Sequence, residues 1–275
     1  METLLNKLAD IFGDNTLPKA TSDELTLFLD ALEQGHVRCA HKNAHGVWTV
    51  DERVKKGILL CFRAGVNERV QVGPLTFIDK HNLWPRSFDV ASTVRLVPGG
   101  VSVRRGAHLG QRVTLMPPSF VNIGAFVDDD SMVDSHALVG SCAMVGKGVH
   151  ISAGAQIGGV LEPAGSLPVI IEDGVMLGGQ VGVFEGVIVG AGAILGAGVV
   201  LTASSKVYDL VNGNIIEGAS GQPLTIPNGA VVVPGSRAVS GDFAKEHQLS
   251  IATPLIVKYR DDQTAGKTKL EKDLR

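Results

Sequence analysis

The side chains of this 275-residue chain with the chemistry to move protons or hold charge gather between residues 95 and 210. The carboxylates are the Asp128-Asp129-Asp130 cluster, Asp134, Glu172 and Glu185. A carboxylate beside an ammonium takes a proton from it or orients it. Arg95, in the run STVRLVPG, has a planar fork that fits a substrate carboxylate. Each residue also has a plain reading. An arginine near a domain junction suits a surface ion pair, Glu172 and Glu185 suit a solvated surface, and Asp128 and Asp134 suit tight turns.

Histidines 108, 136 and 150 have the chemistry of zinc ligands, since neutral imidazoles from neighbouring strands can hold the ion. Their spacings of 28 and 14 match no single repeat that would stack them on one face. They are expected to be solvated or interface residues, with a general-base role as the other use, and no metal site is expected. No P-loop is present, because GSCAMVGKG at 140–148 has the wrong spacing and no Ser or Thr after Lys147. A dinucleotide fingerprint and a G-x-S-x-G elbow are excluded too.

A six-residue step positions these groups. From Val103, aliphatics recur at 109, 115, 121, 127, 133, 139, 145, 151 and 157. The phase breaks across GVLEPAGSLPVI (159–170) and resumes from Ile171 through 177, 183, 189, 195, 201 and Val207. Four residues after each aliphatic sits a small or medium residue such as Ala107, Ala125, Ser131 or Ala143. One residue after it, Gly, Asn or Asp is common, so positive φ is expected there. Six does not fit a 3.6-residue helix. It fits a short strand and a corner, three of each closing a triangular coil. Coils stacking about 4.8 Å apart make a prism about 25–30 Å long.

The flanks read differently. Leu4, Leu5, Leu8, Ile11 and Phe12 have helical spacing. Thr21 to Glu24 reads as a capping box opening a helix to about Gln34, stopped by Gly35. A hairpin about Gly46 and a helix from Asp51 to Phe62 follow. The expected domains are an α/β cap over 1–95, a β-helix over 96–240 with excursions near 159–170 and 210–225, and a C-terminal segment over 241–275. That last segment is read as a closing strand at 251–259 and a charged helix at 267–274.

Composition agrees. Aromatics are 5% and glycines number 34, as a Val/Ile/Leu/Ala interior with frequent turns requires. The net charge of −3 argues against a nucleic-acid binder. Three cysteines without a C-x-x-C fit a reducing compartment, and the N-terminus lacks a signal-peptide core, so a cytoplasmic location is expected. The uncharged stretch Gly186–Ser205 continues the hexads and reads as part of the prism, not of a membrane span.

The run MPPSFVNIGAFVDDDSMVDSHALVGSCAMVGKGVHISAGAQIGGVLEP (116–163) closely resembles the tetrahydrodipicolinate N-succinyltransferases of bacterial lysine synthesis. VKKGILLCFR (54–63), TVRLVP (93–98), VYD (207–209) and PLIVKYRDDQTAGKTKL (254–270) extend the resemblance over most of the chain. It implies a left-handed β-helix, a mainly β fold. It also implies a homotrimer with active sites between subunits, and succinyl-CoA as cosubstrate with no tightly bound cofactor. The implied acceptor is the amine of ring-opened tetrahydrodipicolinate, 2-amino-6-oxopimelate.

Carried over by motif, Arg95 holds a substrate carboxylate and Asp134 contacts the amine as candidate base. Gly178, Gly179, Ser204 and Lys206 are candidates for binding the CoA ester, with Lys258, Arg260 and Lys267 as further cations. A backbone N–H at Gly178-Gly179 is the candidate oxyanion donor. One departure stands out. The family's Gly-Ala-Arg-Ser-Glu is here Gly178-Gly179-Gln180-Val181-Gly182, so Gly182 stands where the family has a glutamate. Either that carboxylate is dispensable, or Glu185, which matches a separate family glutamate and is the other candidate catalytic carboxylate, takes over, or the acceptor differs. The alternatives are an acetyl-CoA donor, a non-enzymatic β-helix scaffold and a zinc carbonic anhydrase on the same fold.

Overall fold

The computed structural model describes residues 1–14, 16–17 and 19–260. The expected charged helix at 267–274, and Lys267 within it, lie outside the described residues.

The cap opens with α1 (Glu2–Gly13), which buries Leu5, Leu8 and Ile11. Helix α2 (Ser22–Glu33) starts at the capping box: Thr21 Oγ1 accepts the Glu24 N–H at 3.2 Å, and Glu24 accepts the Thr21 N–H at 2.9 Å. Gly35 lies past its end at φ +74°. A hairpin pairs Ala40–Lys42 with Trp48–Val50. Helix α3 (Glu52–Ala64) is capped by Asp51, and its apolar face meets α1 and α2 around Phe28. A second hairpin, Asn67–Val72 with Leu75–Lys80, was not expected. Most of its side chains are exposed, so no clear inward and outward alternation marks it in the sequence.

The prism has three parallel faces. The first stacks Arg95–Leu96, Thr114–Leu115, Met132–Val133, His150–Ile151, Met176–Leu177 and Ile194–Leu195. The second stacks Val101–Val103, Ser119–Val121, Leu138–Val139, Gln156–Ile157, Gly182–Val183 and Val200–Leu201. The third stacks His108–Leu109, Phe126–Val127, Met144–Val145, Ile170–Ile171, Ile188–Val189 and Thr225–Ile226. The hexad aliphatics point inward and form one continuous core. Each buried side chain of this kind contributes about 1.5–3 kcal/mol. Ser131 is tolerated inside because its hydroxyl donates to Gly146 O at 2.8 Å and accepts the Val149 N–H at 3.1 Å.

Three details differ from the hexad reading. First, the prism begins with Arg95–Leu96, a strand before the first counted hexad. Second, Val207 leaves the stack. It pairs antiparallel with Ile216 in an excursion, and Ile226 takes the place above Val189. Third, positive φ falls three residues after the aliphatic, at Gly106, Arg112, Gly124, Asp130, His136, Cys142 and Gly148, and not one residue after it. The position one after is chosen for other reasons. A Cβ on Gly140 would lie 2.2 Å from Gly159 N of the next coil, and one on Gly146 2.3 Å from Asp173 Oδ1. Where Asn122, Asp128 and Asp134 stand there, each Oδ1 accepts the next residue's N–H at 2.7–2.8 Å. Crowding selects glycine, and corner capping selects the short polar residues.

The cap sits on the third face. Phe126, Met144, Ile170 and Ile188 bury against Ala40, with Trp48 and Leu167 at the margin. His108 stacks on Phe126 at 4.3 Å, and its Nδ1–H donates to Glu33 O at 2.8 Å. Burial holds its imidazole below the usual histidine pKa of about 6.5, against the opposing pull of that hydrogen bond. The unfolded chain therefore binds a proton that the folded chain resists, so His108 withdraws stability as pH falls below about 6.5. Unfolding followed by tryptophan fluorescence is expected to show a lower urea midpoint at pH 5.5 than at 7.5. His108→Gln should reduce that drop, and an identical drop in the variant would exclude His108.

The two insertions leave the prism at the edge between the second and third faces. The first, 158–169, lengthens its coil by eight residues, and the second, 202–224, by nineteen. The strand Ala230–Ala238 then closes the first face against Ser250–Tyr259, close to the expected closing strand.

Candidate active site

Arg95, Asp134 and the Gly178-Gly179 pair line one side of the prism. Arg95 is exposed on the first face, on a strand two rungs below Met132–Val133. Asp134 follows that strand, on the edge between the first and second faces. Gly178 and Gly179 occupy the same edge two rungs further on. At about 4.8 Å per rung the line spans about 19 Å. Asp134 is half-buried, and its Oδ1 accepts the Ser135 N–H at 2.7 Å. The carboxylate is thereby fixed in orientation while its other oxygen has no donor among the described residues.

The glycine pair divides. Gly178 N–H donates to Leu195 O at 2.8 Å within the ladder, so it is not an oxyanion donor. Its lack of a side chain is steric, since a Cβ would lie 2.6 Å from Ala197 N. Gly179 N–H has no acceptor among the described residues. The candidate oxyanion donor thus narrows to Gly179.

Glu185 is not beside Asp134 in one chain. It stands on the opposite edge of the second face, between the two insertions. Its φ is +56° and that of Gly186 is +73°, a double left-handed corner. Its Oε2 accepts the Ala203 N–H at 3.1 Å, which ties the corner to the start of the second insertion. Phe184, Glu185, Glu162, Leu167, Thr202 and Gln222 are among the walls of a cleft of about 840 Å3. Ser204 and Lys206 belong to this edge too. Ser204 Oγ lies 3.2 Å from Thr202 Oγ1, and Lys206 pairs with Glu217 at 2.9 Å.

The glycine at 182 has a local cause. A Cβ there would lie 2.5 Å from the Phe184 ring, and one on Gly158 would lie 2.7 Å from it. Phe184 covers both glycines and fills the place of a side chain at 182. Sequence reasoning missed Phe184, and it read 159–170 as an excursion without assigning it to a cleft wall. The phase break at 159–170 was the signal for the wall, and a phenylalanine one residue after the hexad aliphatic Val183, where Gly, Asn or Asp is common, was the signal for Phe184.

Arg260 lies elsewhere. Its guanidinium donates to Gly174 O and Gly192 O, both at 3.3 Å, on the edge between the third and first faces. It staples that edge, so the expectation that it meets CoA phosphate is not supported. His136 is exposed two residues beyond Asp134, and His150 is half-buried on the first face. Among the described residues, no group of three or more His, Cys, Asp or Glu is arranged to hold a metal ion. Among them, too, no helix is long and apolar enough to cross a membrane.

Stacked hexads of this kind define the left-handed β-helix of the hexapeptide-repeat transferases. The model "Hexapeptide repeat of succinyl-transferase" matches residues 168–203, and "Tetrahydrodipicolinate N-succinyltransferase N-terminal" matches residues 3–64. The 2,3,4,5-tetrahydropyridine-2,6-dicarboxylate N-succinyltransferase of Bordetella avium is 44% identical over 90% of this chain and 87% of its own length. That of Nitrobacter hamburgensis is 42% identical over 100% of this chain and 98% of its own. A solved structure from Campylobacter jejuni, titled as a putative N-succinyltransferase, aligns over 86% of this chain and 63% of its own, with 17% identity and a TM-score of 0.49. The chain belongs to the tetrahydrodipicolinate N-succinyltransferase family.

Proposed function

We propose that this chain transfers the succinyl group of succinyl-CoA to the amine of 2-amino-6-oxopimelate, the ring-opened form of tetrahydrodipicolinate, in lysine synthesis. The observation that carries this is the match to the succinyltransferases across cap and prism, at 44% identity over 90% of the chain.

The geometry suits the chemistry. A thioester is attacked by a neutral amine without metal activation, so the site must bring the two reactants together and manage a proton. Arg95 binds a carboxylate of the acceptor. Asp134 takes a proton from its ammonium, and the amine nitrogen bonds to the thioester carbon. The developing oxyanion is met by Gly179 N–H. Collapse breaks the C–S bond, and the CoA thiolate leaves with the remaining surplus proton of the nitrogen. Small residues along the Asp134–Gly179 edge let the pantetheine arm approach the backbone, and in this reading Lys206, on the opposite edge and paired with Glu217, trades that carboxylate for a CoA phosphate.

Asp134 and Glu185 lie on opposite edges of the second face. In our reading, copies assemble as a homotrimer in which the Asp134 edge of one copy meets the Glu185 edge of the next. The active sites then lie between subunits.

The test is thiol release with tetrahydrodipicolinate, comparing succinyl-CoA with acetyl-CoA, together with sedimentation. Release from succinyl-CoA by a trimer is expected. No release overturns the reading, a preference for acetyl-CoA reassigns the donor, and an active monomer refutes the shared site.

A further inference from the structure

Lys55 is fully buried on α3, yet it forms no salt bridge among the described residues. A buried ammonium without an acid partner is costly, so packing alone does not explain it. Its Nζ donates to the main-chain oxygen of Ser166, in the 158–169 insertion. One helical turn earlier, Glu52 meets the same loop, because a Cβ on Gly165 would lie 2.9 Å from Glu52 Oε1. Leu161 packs into the cap core, and Leu167 packs at the margin of the third-face cluster. The loop is therefore clasped by the cap on one side. On its other side Glu162, Pro163 and Ser166 wall the cleft that also holds Phe184 and Glu185.

We propose that Lys55 is a positioning residue through which the cap sets the wall of the Phe184–Glu185 cleft, and that this cleft, on the edge that meets the next copy's Asp134 edge in the trimer reading, receives part of the acyl-CoA. This rests on the succinyltransferase reading. A carbonyl accepting from an ammonium makes a stronger bond than one accepting from a neutral donor. Removing the ammonium frees the loop tip, and the wall no longer holds one geometry. Burial pulls the Lys55 ammonium below the usual lysine range, which reflects the desolvation this placement imposes.

The experiment measures kcat, the KM for succinyl-CoA and the Tm of full-length Lys55→Met and Gly165→Leu proteins. Gly165→Leu sets a Cβ 2.9 Å from Glu52 Oε1 and so presses the loop off Glu52 while Lys55 stays in place. Both variants are expected to raise the KM for succinyl-CoA five- to tenfold, with kcat within twofold of wild type. A folded variant of either kind with unchanged KM overturns the proposal, and should Lys55→Met fail to fold, Gly165→Leu decides. Absence of succinyl transfer by the wild-type protein would bring down the functional reading instead, so the two failures are distinct.

Discussion

Asp134→Asn is expected to lower kcat by about 100-fold or more, with the assembly and Tm close to wild type. General-base groups contribute typically 10²–10⁴-fold, which sets the scale. Asparagine is the informative substitution because the fold already uses it at this corner. Asn122 stands one residue after its hexad aliphatic, as Asp134 does, and caps its corner by accepting the Ile123 N–H at 2.8 Å. The variant keeps the Ser135 N–H acceptor and loses only the charge. Steady-state thiol release at saturating substrates is the measurement. Turnover within threefold of wild type would remove Asp134 from proton transfer and return it to the plain corner role.

Arg95→Ala is expected to raise the KM for the dicarboxylate acceptor about tenfold, with the KM for succinyl-CoA unchanged. A hydrogen bond to a charged group is worth about 1.5–3 kcal/mol, and the lower end applies to an exposed side chain. Each 1.4 kcal/mol is tenfold. Arg95→Lys should recover only part of the loss, because a point charge replaces a bidentate fork. The strand is expected to survive either change, since Arg95 holds its place through its main chain, whose N–H donates to Val113 O at 2.9 Å. An unchanged acceptor KM in Arg95→Ala would refute the carboxylate clamp.

Much of the architecture was readable from residue spacing. The capping box at Thr21, the stop at Gly35, the corner at Gly46 and the start of α3 at Asp51 all depend on neighbours within a few residues. Local chemistry of that range is written in the chain itself. The hexads were readable for a different reason. Each coil repeats the same inward, outward and corner demands, so a nonlocal stack leaves a local rhythm. The same rhythm misplaced Val207, whose spacing fits while its pairing does not. It also misassigned the glycines after each aliphatic, because crowding by the next coil and backbone handedness select the same residue type. Only the stacked backbone separates them, as at Gly140 and Gly148.

The candidate site was legible as a set of residues and not as an arrangement. Asp134 and Arg95 were picked out by motif, and the exposed hairpin at 67–80 was passed over for want of a pattern. That Gly178 N–H is committed to the ladder while Gly179 N–H is not depends on which coil lies above.

The sequence alone determined the three-sided stack, the cap helices and the family, since periodic burial and short-range capping are properties of residue order. The tertiary structure alone decided which edge each candidate occupies, that Glu185 faces a cleft away from Asp134, and that Lys55 reaches Ser166. Those are distances between segments far apart in the chain, and they are fixed only when the coils close and the cap settles on the third face.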